Sequence, residues 1–176
     1  VMQGVDNMFE VDTVRRILDA VCALAKKEYG KGGDVDVSIR IITDHIRSSS
    51  FMIADGVIPS NEGRGYVLRR ILRRAARHGR LLGIREAFLA SLCDVVIREN
   101  ESGYPELREK ESYIKTILSR EEEKFNATID TGLAILSDLM KKNKEKNSTV
   151  LCGEDVCHHF HGEDVVQVCY GYGLFT

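Results

Sequence analysis

Between positions 64 and 85 the chain places eight arginines and no acidic residue, a density that suits the binding of anions. A planar guanidinium can donate to two phosphate oxygens at once or stack on a base, whereas a lysine ammonium acts as a point charge. At about 100° per residue, Arg69, Arg70, Arg73, Arg74 and Arg77 fall on an arc of roughly 140°, and Ile71, Leu72 and Ala75 lie within about 60° of Leu68 on the opposite side. A helix here would have one apolar face and one cationic face. Solvated helix faces ordinarily mix signs so that acids relieve the repulsion, and these arginines have no acid on their own helix. Two readings stand side by side. Either a polyanion compensates the face, or neighbouring elements do so through Glu86, Asp94 or the run Glu121-Glu122-Glu123.

Other constellations are weaker. Cys152, Cys157, His158, His159 and His161 sit within ten residues, and Cys152, Cys157 and His161 have the ligand types zinc prefers. No second CxxC or HxxxH pair supports that site, and the residues read first as a divergent terminus. Gly63-Arg64-Gly65 lacks the lysine and hydroxyl residue of a P-loop. Ser60 and Asn61 read first as turn and N-cap residues, and His45 and His78 as helix-surface or satisfied core residues. No nucleophile and base pair stands out, so no catalytic residue is assigned.

The elements that must position the arginines are helical. Apolar positions recur at three-and-four spacing, and the two prolines, Pro59 and Pro105, fall where the pattern breaks. A first helix is expected over about 12–28, with Val14, Ile17, Leu18, Val21, Leu24 and Ala25 inward, stopping at Gly30. A second begins near a cap at Asp36, carries Ile39, Ile42, Ile46 and Ile53 inward, and ends at Asp55-Gly56. The arginine helix follows over about 64–78, and a fourth helix over about 84–99 with Phe88, Leu89, Leu92, Val95 and Val96 on one side. After Pro105 one long helix carries Ile114, Ile117, Leu118, Phe125, Ile129, Leu133, Leu136 and Met140 on a single seam, its polar face solvated. The expected fold class is all-α, a helical bundle with one long helix and a short irregular C-terminal segment. Residues 1–142 form the helical domain, its first, second, fourth and fifth helices covering the arginine helix's apolar face, and 143–176 a linker and partly disordered tail.

Bulk properties bound the function. With 176 residues, 43% hydrophobic, the chain can enclose one core, and its net charge of −2 hides an uneven distribution, since 150–176 carries four acids and no lysine or arginine. No apolar run of about eighteen residues argues for a membrane span, and no signal peptide opens the chain, which points to the cytoplasm. Five cysteines, two inside helical patterns, suit free thiols in a reducing compartment.

The forty residues 41–80, which include Ala54-Asp55-Gly56-Val57-Ile58-Pro59-Ser60-Asn61-Glu62-Gly63-Arg64-Gly65-Tyr66-Val67-Leu68-Arg69-Arg70, closely resemble a segment of alanyl-tRNA synthetases. Weaker similarity reaches the Gln3-Gly4 region and the glutamate-rich long helix. The resemblance implies an all-helical unit that follows a class II catalytic domain, precedes an editing domain, and contacts both. It also implies a partner, the acceptor stem of tRNA(Ala), marked by a G·U wobble pair. The family's adenylation, with ATP and Mg, would reside in the catalytic domain and its Zn in the editing domain, leaving no cofactor and no activity for this chain alone. Asn61 matches the family's asparagine in the Pro-Ser-Asn loop, whose short amide tests the wobble pair. Arg64, Arg69, Arg70, Arg73, Arg74 and Arg77 would hold the phosphates. A second family reader is the aspartate of a Tyr-Asp-Thr-Tyr-Gly-Phe-Pro motif. Tyr170 stands at its place and Phe175 at the proline's, so either that carboxylate is lost or Asp164 or Glu163 substitutes for it. Two readings from other classes remain: a helical protein-interaction module using the long helix, and a small zinc-binding element in the tail.

Overall fold

The computed structural model describes residues 3–145, and side chains to Lys141. Among these residues the architecture is all-α. A short 3-10 turn, Met8–Glu10, precedes α1 (Asp12–Ala25), α2 (Gly33–Ala54), α3 (Gly63–Leu81), α4 (Leu89–Asn100), the single turn α5 (Glu106–Glu109) and the long α6 (Glu111–Glu145). The chain divides into two compact units, Val1–Glu123 and Lys124–Thr176. The described part of the second unit continues α6 and buries Phe125 and Ile129. The irregular tail expected over 143–176 lies, beyond Glu145, outside the described residues.

Periodicity explains the core of the first unit. Ile17, Leu18 and Val21 of α1 and Ile39, Ile42, Ile46 and Ile53 of α2 are fully buried, each set recurring at the spacing of one helical face. Polar residues on these faces find local partners, as Thr43 and Ser50 donate to the carbonyls of Ile39 and Ile46, both at 2.8 Å. α1 packs on α2 and α4, and α3 packs chiefly on α2. Cover of α3 by four helices was expected, but α2 supplies the close contact, together with Phe88 just before α4. The Phe88 ring occupies the space where a Cβ on Gly79 would sit, 2.3 Å from that ideal position.

Element boundaries depart from the periodic reading for identifiable reasons. α1 stops at Ala25 because Lys26 turns left-handed, at φ 51°, and its N–H and that of Lys27 return to the carbonyls of Ala23 and Cys22. Asp36 is no cap at its own position. It lies in the first turn of α2, buried, where its carboxylate accepts from the backbone N–H groups of Gly30 and Gly32 (3.0 and 2.7 Å) and ties down the preceding glycine loop. α4 begins at Leu89 rather than near Ile84, because the Glu122 carboxylate accepts from the N–H groups of Phe88 and Leu89, both at 3.0 Å, and so caps the helix from α6. The single helix expected after Pro105 breaks at Lys110, whose ammonium donates to the last carbonyl of α2, at Ala54 (2.6 Å).

Candidate nucleic-acid interface

The loop between α2 and α3 carries Pro59, Ser60 and Asn61, and α3 starts two residues after Asn61. Close contact fixes this loop on the helix. A Cβ on Gly65, in the first turn of α3, would lie 2.3 Å from the Ile58 carbonyl oxygen and 2.2 Å from Ser60 Oγ, so only glycine lets the two segments meet. Ser60 Oγ donates to the Glu62 carbonyl at 2.8 Å, the turn role its type suggests. Asn61 is not the helix cap. Glu62 occupies that position without a capping side chain, and the exposed Asn61 amide instead accepts, through Oδ1, from the Arg69 guanidinium.

Along α3 the arginines separate by burial. Arg64, Arg70 and Arg74 are exposed and face no carboxylate partner among the described residues, while Arg70 lies 5.7 Å from the centroid of the Tyr66 ring. Arg69 and Arg73 are enclosed, with side chains 18% and 13% exposed, and both converge on Glu121 Oε1, at 3.4 and 3.0 Å from their Nε atoms. Of the two readings the charge pattern left open, compensation by a neighbouring element holds for these two arginines. Glu121 itself is 8% exposed, not part of a solvated face, and belongs to the acidic run that charge pattern alone offered as a neutraliser. Of the other acids so offered, Asp94 pairs with Lys115, and Glu122 caps α4. Burial raises the Glu122 carboxyl above the usual range, against the pull of its two backbone donors.

Arg77 lines a groove at the far end of α3 with Asp34, Ser38 and His78. His78 Nδ1 lies 3.0 Å from Ser38 Oγ. Burial, then the neighbouring Arg77 and Arg74, lowers its pKa from the ordinary 6.5 to about 4, leaving it neutral at pH 7. The free thiols of Cys22 and Cys93 sit in helices, with Cys93 buried and pushed up to about 11, chiefly by burial. Cys152, Cys157, His161, Glu163, Asp164, Tyr170 and Phe175 all lie outside the described residues. No helix among the described residues is long and apolar enough to cross a membrane.

An asparagine loop and open arginines on one helix make a surface with a hydrogen-bonding tip and a cationic flank, and comparison with known proteins gives that surface a lineage. Residues 1–162 match the family model for tRNA synthetases class II (A). The chain belongs to that family. It is 57% identical over 162 residues to the alanine–tRNA ligase of Acetivibrio thermocellus, covering 92% of this chain and 18% of that one. Over 155 residues it is 58% identical to the alanine–tRNA ligase of Clostridioides difficile and to alanine–tRNA ligase 1 of Lachnoclostridium phytofermentans, in each case 88% of this chain and 18% of the relative. The chain thus spans less than a fifth of the length of these relatives. The family match ends at residue 162, before Tyr170.

Sequence reasoning named Asn61 and six arginines without separating the open from the enclosed, gave Gly65 no role, and offered Glu121 only as one of several neutralisers. Gly65 reads as one more glycine of a loop, and the only sequence signal for Glu121 is its place in a triple-glutamate run on an otherwise periodic helix.

Proposed function

We propose that this chain is the part of an alanine–tRNA ligase that holds the acceptor stem of tRNA(Ala), within an enzyme that activates alanine with ATP and Mg in a catalytic segment outside this sequence. The chain by itself supplies recognition and no aminoacyl transfer. The observation that carries this reading is the placement of exposed Arg64, Arg70 and Arg74 on the helix that springs directly from the Asn61 loop. Arginines along one helix flank suit the phosphates that line an A-form groove, and a short amide at the tip suits its shallow minor groove, where a G·U pair leaves the guanine 2-amino group unpaired. Phosphate contacts would set register while Asn61 tests the base pair. Arg69, Arg73 and Arg77 support that surface from its enclosed side.

Fluorescence anisotropy with an acceptor-stem hairpin tests this. Binding is expected to weaken steeply with salt. Asn61→Ala is expected to reduce the preference for G·U over G·C more than the affinity for either stem. Salt-independent binding, or equal loss on both stems, would count against the proposal.

A further inference from the structure

Three side chains from three segments form a relay toward the proposed reading amide. Glu121 on α6, nearly buried, accepts a hydrogen bond from the Nε of Arg73 at 3.0 Å and pairs by charge with Arg69, whose Nε lies 3.4 Å from the same oxygen. Arg69 then donates through a terminal nitrogen to Asn61 Oδ1. We infer that Glu121 is a positioning residue for base reading, fixing Arg69 so that Arg69 holds the Asn61 amide in one orientation before RNA arrives. This rests on the acceptor-stem reading of the Asn61 loop.

The chemistry is directional. A guanidinium only donates, so Arg69 selects the carbonyl oxygen of the amide and turns Nδ2 away. That oxygen has two lone pairs, one used by Arg69 and one left for an N–H donor such as the guanine 2-amino group. An exposed asparagine without this hold would sample several rotamers and both amide faces, and ordering it would lower affinity for the correct pair alone.

Removing the Glu121 charge therefore has two effects of opposite sign. Asn61 loses its orientation, and discrimination falls. Arg69, relieved of this carboxylate, adds positive charge beside Arg70, so binding to any stem tightens and its salt dependence steepens. A Glu121 that only stabilised the fold would instead weaken both stems together.

The test titrates the 176-residue chain by anisotropy against two hairpins that differ only in a G·U or G·C pair, at several salt concentrations, with thermal melts followed by circular dichroism. Glu121→Gln is expected to cut the G·U preference by roughly two- to tenfold, the worth of ordering one side chain, while binding the G·C hairpin more tightly. Glu121→Asp should recover part of the preference. Arg69→Lys, which keeps the charge but cannot span both Glu121 and Asn61, should lose the preference without a lower melting point. The relay is overturned if the wild-type chain prefers G·U and Glu121→Gln keeps that preference in full, or loses both stems equally. If the wild-type chain shows no G·U preference, the acceptor-stem reading falls, and the relay with it.

Discussion

The two edges of α3 carry the same residue type, one step apart in sequence, and they are put to opposite uses. Arg69 and Arg73 turn inward onto Glu121, whereas Arg70 and Arg74 stand in solvent with no carboxylate among the described residues. The inner pair is part of the fold, since Glu121 would otherwise be a nearly buried charge without a counterion. The outer pair, with Arg64, is exposed and leaves an open cationic surface beside the Asn61 loop. An arginine-rich helix is thus not one functional unit, and the half that stabilises the protein differs from the half available to a ligand.

The largest effect should come from the inner edge. Replacing both Arg69 and Arg73 with alanine strands Glu121, and is expected to cost about 3–5 kcal/mol in urea unfolding. A loss under about 1 kcal/mol would mean that water reaches the carboxylate and the two edges are equivalent. The outer edge should show the reverse pattern. Arg70→Glu with Arg74→Glu should leave stability within about 0.5 kcal/mol and weaken acceptor-stem binding on the order of a hundredfold, the salt slope falling by about one for each phosphate no longer neutralised. Unaltered binding would remove the outer edge from the interface.

A third change addresses the loop both edges serve. Gly65→Ala forces a Cβ against the Ile58 carbonyl and Ser60 Oγ, and should destabilise by about 1–3 kcal/mol while displacing Asn61. A melting temperature equal to wild type would show that the loop is free to move. The smallest effect concerns the far end of α3. The folded protein holds His78 near pKa 4, below its ordinary 6.5, so the unfolded chain takes up the proton first as pH falls. Stability contributed by neutral His78 is present above about pH 6.5 and is lost toward pH 4. Thermal melts from pH 7 to pH 5 should show this decline, and His78→Gln should flatten it. An equal decline in the variant would assign the pH dependence to other groups.

Much of the helical layout is legible in the residues, because a helix face is a local pattern. Ile39, Ile42, Ile46 and Ile53 point inward on spacing alone, and the breaks at Pro59 and Pro105 follow from backbone restrictions of single residues. The start of α4 is not legible in the same way. Its first N–H groups are satisfied by Glu122, thirty-three and thirty-four positions away, and no local signal near Ile84 could give the later start. The same holds for Asn61. Its type and neighbours fit an N-cap as well as an exposed reader, and only the partner of its carbonyl oxygen separates the two.

The sequence by itself determined an all-α chain, the apolar face of the arginine helix, and the segment whose resemblance points to alanyl-tRNA synthetases. Each of these is written in spacing or in contiguous residue identity. Tertiary structure alone decided which arginines are used inside the protein and which face outward, because charge compensation acts through space. Glu121 reaches Arg73 across forty-eight positions of sequence, and only the path of the chain brings the two within 3.0 Å.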